Sequence, residues 1–363
     1  MVAAEQLRYG HPVYLLPELY SGIDYETVPL KVTELPPGFL QTPDFPLGDL
    51  WSVGLRATLV IRTPEHKKLL NPPRFRTKSK GSVLELGPGD NRNWLELSRA
   101  GIKPAEYVGV EIDPKKIALG VNNLNKEPSF RNVPWAIHNQ DAISYLKQLE
   151  NNNELFYGLV IICLPQVALH HQVLGEQGAT ISDLYEINPL LKPFAETKVV
   201  DELTIDDYGF TLNAAALAYL RPTVAPGTQV IIALNHRVKR YAREFIIRAV
   251  GNYEPGYRWE IIKRFKTEPI QHDPLIMPYS LSTEDDKGRY LELNEDGNYV
   301  EIPIALAQER VSKSVSVAIK KLAIDKPLIA CDEDERDSIR AMARHELGQS
   351  VLHSVGYYIL EAR

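Results

Sequence analysis

The chain of 363 residues has only two cysteines, three methionines and no excess of basic charge, with 41 Lys and Arg against 47 Asp and Glu. Each scarcity excludes something. Cys163 and Cys331 cannot staple a secreted scaffold, and no Cys/His spacing matches a zinc site, since His170 and His171 are adjacent and face different ways on a helix or strand. No metal is expected. A net charge of -6 lacks the dense basic surplus that phosphate neutralisation demands, so nucleic-acid binding is not expected as a main activity. The longest apolar stretch, 158–169, contains Pro165 and Gln166 and falls short of the ~20 residues that cross a bilayer, so no membrane span is expected. The amino terminus has no basic start followed by an apolar run, and a cytoplasmic location is expected.

What is present is ordinary globular composition, 44% hydrophobic and 24% charged. At roughly 150 residues per domain the length predicts two domains, or one large domain with additions. Residues 1–75 are rich in proline and aromatics, and PPRFRTKSKG (72–81) is a basic connector. Beyond it, short apolar strands alternate with helical segments, the pattern of a parallel sheet covered by helices. Strands are predicted at 83–86, 107–111, 133–138, 158–163, 229–234 and 259–265, and helices at 94–100, 114–125, 142–151, 212–220 and 238–250. After Pro269 the alternation stops. RYLELNEDGNYVEIP predicts a hairpin with a tight turn at Asp296-Gly297, followed by helices at 307–322 and 334–352 and a closing strand at 356–360.

The segment SVLELGPGDNRNWLELS joins a buried strand to a helix through a turn holding Gly87 and Gly89. Glycine permits positive φ and close ligand approach, and the following helix offers free N–H groups, so a nucleotide-like ligand fits. The turn lacks both the G-x-G-x-x-G spacing and a phosphate-loop Gly-Lys-Ser/Thr, which argues against NAD and ATP. YVGVE ends in Glu111, 24 positions after Gly87, where a doubly wound fold sets a carboxylate against ribose hydroxyls. Asp141, in NQDAI, is placed to accept from an adenine amino group.

In VLELGPGD (83–90), YVGVEIDP (107–114), NQDAI (139–143) and GLVIICLPQ (158–166), the chain resembles the class I S-adenosylmethionine-dependent methyltransferases over residues 80–270. The resemblance implies a Rossmann-like α/β core at 80–270 that binds S-adenosylmethionine, an N-terminal cap at 1–79, and a C-terminal α+β extension at 271–363 whose last strand is available to join the core sheet. It also implies that Glu85, Gly87 and Gly89 surround the methionine part of the cofactor, Glu111 the ribose, Asp141 and Ala142 the adenine, with Cys163 among the cofactor contacts. Two plainer readings stay open: Glu85 as a partly buried strand-end acid, and Asp141 as a helix cap.

In amino-group enzymes similar to the release-factor glutamine methyltransferases, the fourth strand ends in Asn-Pro-Pro-Tyr. Here Cys163-Leu164-Pro165-Gln166 stands in that place, without the amide acceptor or the aromatic. Amine methylation needs an oriented lone pair and a route for a lost proton. A thioether needs only alignment and tolerance of positive charge. The Pro-Gln pair and the later DDYGF element resemble methionine S-methyltransferases. That likeness implies that Pro165 and Gln166 line the transfer point, that Asp207, Tyr208 and Gly209 lie near a small-molecule substrate, that Tyr208 and Tyr185 offer ring faces to a sulfonium, and that Asp206 or Asp207 holds an ammonium. Methylation of an amine, amide or protein side chain is the alternative within enzymes, and a cofactor-binding scaffold without turnover the alternative outside them. The basic stretch HRVKRYAREFIIR (236–248) fits an amphipathic surface helix, and Asp332-Glu333-Asp334-Glu335 fits a helix start. No hydrolase nucleophile elbow is present.

Overall fold

The computed structural model describes residues 26–28, 82–89, 93, 104–128, 131–152, 158–164, 189–200, 203–235, 240–250, 258–275 and 290–363. Its strands are β1 (Glu26–Val28), β2 (Ser82–Leu86), β3 (Glu106–Glu111), β4 (Trp135–Asn139), β5 (Gly158–Ile162), β6 (Lys198–Val200), β7 (Leu203–Thr204), β8 (Gln229–Asn235), β9 (Trp259–Thr267), β10 (Ile270–Gln271), β11 (Tyr290–Leu293), β12 (Tyr299–Ile302), β13 (Leu352–His353) and β14 (Val355–Ala362). The helices used below are α1 (Pro114–Lys126), α2 (Ala142–Asn151), α3 (Thr211–Leu220), α4 (Arg240–Val250), α5 (Ile304–Lys321) and α6 (Glu333–Leu347).

The main sheet has eight strands in the order β1-β9-β14-β8-β5-β2-β3-β4. Strands β4, β3, β2, β5 and β8 run parallel, and β14 runs antiparallel between β8 and β9. This is the doubly wound order with one antiparallel strand slipped in before the last position, a Rossmann-like α/β fold. Burial follows from position. Every residue of β2 (SVLEL) and β5 (GLVII) is buried, as the middle of a parallel sheet requires, the polar Ser82 and Glu85 of β2 included, whereas β4 lies at the edge with Ala136, His138 and Asn139 exposed. The chain winds from β2 outward through β3 to β4, then crosses back to β5, so the winding reverses between β2 and β5.

Helix α3 (TLNAAALAYL) is buried on every side, as its apolar sequence all round demands, and packs beside α2 and α4. Trp259 of β9 donates its indole N–H to the Leu217 carbonyl at 3.2 Å. Glu244 of α4, fully buried, receives two hydrogen bonds from the Arg264 guanidinium of β9, at 2.6 and 3.0 Å.

The last strand fills the gap between β8 and β9, and Tyr357, Tyr358 and Leu360 are buried there. Because β13 pairs with β10 just as β14 pairs with β9, the β9–β14 ribbon runs on into a second sheet of order β10-β13-β11-β12. Helices α5 and α6 pack on each other beside it. Asp332 caps α6 in a reciprocal box with Glu335, at 3.0 and 2.8 Å, which accounts for the acidic run in the sequence.

Several boundaries differ from the sequence expectation: β4 spans 135–139 where 133–138 is expected, and α5 begins at Ile304, ahead of the expected 307. Helix α6 ends at Leu347 and not at 352, because Gly348 takes φ +53° and its N–H closes on the Arg344 carbonyl. The hairpin between β11 and β12 turns at Asp296-Gly297 as expected, where the Gly297 N–H bonds the Asn294 carbonyl at 3.0 Å and Gly297 takes φ +79°. Except for Glu26–Val28, which extends the main sheet beside β9, the expected N-terminal cap lies outside the described residues, as does the helix expected at 94–100.

The buried pair yields a stability prediction. Replacing Arg264 with Met leaves Glu244 buried without its main partner and should cost about 3–5 kcal/mol in urea unfolding, while Arg264→Met combined with Glu244→Leu should fall close to wild type. Equal losses in both variants would contradict the pairing.

Candidate functional site

In open α/β sheets, ligands bind beyond the carboxyl ends of the strands where the winding reverses. Here that place lies past Leu86 and Ile162, which are paired in register. Two backbone hydrogen bonds tie its floor together: Cys163 N–H to the Leu86 carbonyl, and Gly87 N–H to the Val110 carbonyl, both 2.9 Å. The turn that follows β2 thus has its first amide fastened to β3.

Gly87 and Gly89 differ in what they permit. Gly87 has φ +76°, and a Cβ there would lie 2.8 Å from the Cys163 carbonyl oxygen, so only glycine fits. Gly89 has φ +55°, but a Cβ there meets nothing within 4 Å, so this side of the turn faces open space. One residue closes the turn against β5. The other leaves room above it.

Glu111, at the end of β3, is 7% exposed. One carboxylate oxygen accepts from the Ile112 and Asp113 amides at 2.9 and 3.0 Å, and the other from the Gly89 amide at 3.1 Å. A carboxylate has about four acceptor positions, so these three bonds leave room for a further donor such as a hydroxyl. The same acid therefore shapes the glycine turn. Asn139, at the end of β4, donates its side-chain amide to the Ile112 carbonyl at 2.9 Å and the Glu111 carbonyl at 3.3 Å, and the Gln140 N–H also reaches Glu111 O. The loop carrying Glu111 is held from both sides. Exposed Ile112 stands beside it.

Asp141 caps α2, its side chain accepting from the Ser144 amide at 2.8 Å, and Ala142 is buried at the first position of that helix. The capping reading of Asp141 is thus realised, with its carboxylate still at the crevice edge beyond β4.

Glu85 is fully buried. One oxygen accepts from the Tyr107 hydroxyl at 2.9 Å and the other from the Asn93 side-chain amide, which also reaches the Cys163 sulfur at 3.3 Å. Its carboxylate points inward under the turn, the strand-end-acid reading carried further than the sequence implied. Cys163 keeps some surface while its sulfur is enclosed by protein. Burial first, then the Glu85 charge, push its thiol well above the usual cysteine range, with the Asn93 hydrogen bond pulling the other way, so the thiol stays protonated.

The residues expected near the substrate divide. Asp207 is engaged in its own turn, accepting from the Thr204 amide and hydroxyl at 2.7 and 2.8 Å. Tyr208 is 2% exposed and belongs to the main core, and Asp206 is buried and accepts from the Thr211 hydroxyl at 2.5 Å. Gly209 takes φ +68°, turning the chain into α3. Pro165, Gln166 and Tyr185 lie outside the described residues, as do His170 and His171. Among the described residues no group of His, Cys, Asp and Glu is arranged to hold a metal, and no helix is long and apolar enough to cross a membrane. Sequence reasoning missed Asn93, Tyr107 and Asn139. Only Asn139 carried a signal, as the first residue of NQDAI.

No family model matches the chain, and no curated protein is significantly similar to it in sequence. Its matches among solved structures include methyltransferases. The S-adenosylmethionine-dependent methyltransferase from Agrobacterium tumefaciens is 13% identical with a TM-score of 0.32, over 55% of this chain and 48% of its own. TrmN from Thermus thermophilus is 13% identical with a TM-score of 0.30, over 52% and 40%. YjhP from E. coli is 10% identical with a TM-score of 0.37, over 90% and 96%. The matched part spans about half the length of the Agrobacterium protein. These are likenesses of fold, at identities that say nothing of substrate.

The two glycines give a graded prediction. Gly89→Ala should cost about 1–2 kcal/mol for the left-handed backbone alone. Gly87→Ala adds a clash with the Cys163 carbonyl and should cost roughly 3 kcal/mol in denaturant unfolding. The reverse order would contradict the described turn.

Proposed function

We propose that the chain is an S-adenosylmethionine-dependent methyltransferase acting on a small molecule, with a thioether sulfur as the favoured acceptor. The observation that carries the reading is the gathering of the Gly87–Gly89 turn, Glu111 and Asp141 along one edge, at the ends of β2, β3 and β4 beside the winding reversal. The residues fit the cofactor: open space over Gly89 admits a ligand, and Glu111 keeps acceptor capacity for a ribose hydroxyl. Gly87 and Gly89 would face its amino-acid part, Glu111 its ribose, and Asp141 with Ala142 its adenine. When bound, S-adenosylmethionine supplies an electrophilic methyl group on sulfur.

The acceptor preference rests on the end of β5. A base for an amine proton must ionise or offer a strong lone pair near neutral pH, and the enclosed Cys163 thiol does neither. An acceptor sulfur sheds no proton. The protein then contributes alignment of acceptor and donor and the exclusion of water. Pro165 and Gln166 follow Cys163 directly in the chain and are assigned to the transfer point by their resemblance to methionine S-methyltransferases. Asp207 and Tyr208, engaged with Thr204 and the core, are assigned the task of holding the 204–210 loop.

Incubation with methyl-labelled cofactor and methionine-like thioethers should give a labelled sulfonium. Label found only on amines, nucleic acid or protein would sink the thioether acceptor and leave a methyltransferase of another class. Separately, Glu111→Gln should weaken S-adenosylhomocysteine binding about tenfold or more by calorimetry, the scale of one lost charge-assisted hydrogen bond. Unchanged affinity would remove Glu111 from the ligand site.

A further inference from the structure

Glu85 is a buried carboxylate with no room for a ligand between it and its partners, and burial of a charge is tolerated only where hydrogen bonds satisfy it. Its partners come from three parts of the crevice wall. Tyr107 belongs to β3 and is fully buried. Asn93 has helical backbone four residues past Gly89 and is 5% exposed. Cys163, on the far side of the Asn93 amide, directly follows β5, and its carbonyl oxygen is the atom that confines Gly87. One polar chain therefore runs from Tyr107 through Glu85 and Asn93 to Cys163, passing beneath the Gly87–Gly89 turn and joining β2, β3 and β5 to the segment after the turn.

We propose that Glu85 is a positioning residue and not a cofactor contact: through Tyr107 and Asn93 it fixes the height of the glycine turn against Cys163, and so sets the geometry of the proposed cofactor site. The inference rests on the methyltransferase reading and corrects the direct role that resemblance implied for Glu85. Its chemistry is directional. The Asn93 amide nitrogen has two N–H groups, one given to the carboxylate and one to the sulfur, so a donor must stand at 93 and an acceptor at 85. Glu85→Gln leaves one acceptor oxygen for two donors, so either the Asn93 bond is lost or the Tyr107 bond must reverse, and the cluster loses its charge. Asn93→Asp sets two carboxylates together. Combining the two substitutions reverses the bond: Gln at 85 donates to Asp at 93, the thiol of Cys163 can donate to the same Asp, and the charge of the cluster is unchanged.

The test is calorimetric titration of S-adenosylhomocysteine into the full chain and its variants, with site-resolved iodoacetamide labelling of Cys163 at pH 8 read by mass spectrometry. Glu85→Gln and Asn93→Asp should each weaken binding at least tenfold and change the Cys163 labelling rate, and the double variant should return both to within about threefold of wild type. A double variant as weak as Glu85→Gln alone overturns the proposal, since recovery is impossible if the carboxylate itself touches the ligand. Single variants with wild-type affinity overturn it too. Should a single variant fail to fold, Tyr107→Phe serves instead, and must weaken binding severalfold without altering which part of the ligand is recognised; an unchanged affinity there also refutes the positioning role. If the wild-type chain binds no S-adenosylhomocysteine, the methyltransferase reading falls, and the labelling data alone then report whether the four-residue chain is formed.

Discussion

The structure depends on how β2 is tied to both of its neighbours at the level where it ends. The Leu86 carbonyl accepts from Cys163 on one side, and the Gly87 amide donates to Val110 on the other. These bonds bring the end of β5, the end of β3 and the glycine turn to one height. Leu86 pairs with both Ile162 and Val110, and Glu111 with Asn139, so the strand ends form a level rim and not a staircase. A carboxylate, a capping aspartate and an open glycine turn then share an edge without any loop having to search for its place.

That rim is also self-supporting. Glu111 is at once a candidate ligand group and the acceptor that holds Gly89, and Asn139 clamps the loop on which Glu111 sits. Below, the Glu85 cluster fills with hydrogen bonds what a parallel sheet otherwise fills with aliphatic side chains. Polar groups at such depth carry a high desolvation cost, and the Glu85 carboxylate has Tyr107 and Asn93 close enough to offset it. The shared logic is preorganisation: the groups that would meet a ligand are fastened to backbone and to one another before any ligand arrives.

Much of the fold was legible because its signals are local. The apolar residues of β2 and β5 read as buried strands, the helical stretch of α1 was expected to open at Pro114, and the acidic run at 332–335 marked the start of α6. Gly348 was an equally local stop signal that the apolar pattern beyond it obscured. The order of strands was less accessible, since nothing in GYYIL announces that β14 fits between β8 and β9. At the site, residue types and spacing pointed to Gly87, Gly89, Glu111 and Asp141, whereas the inward turn of Glu85 depends on Tyr107 and Asn93. Those two read in sequence as a strand aromatic and a helix-start amide, and only long-range packing makes them partners. Tyr208 likewise reads as a candidate cation-binding face until its burial in the core is seen.

A crystal structure of the protein with S-adenosylhomocysteine tests the central claim most directly. The account predicts density across the carboxyl ends of β2, β3 and β4, with ribose hydroxyls at Glu111, the amino-acid part over Gly87 and Gly89, and the ligand sulfur facing the segment after Cys163. The Glu85 carboxylate should remain beneath the turn on Tyr107 and Asn93. Density at any other face of the molecule, or a ligand ammonium bonded to Glu85, would contradict it.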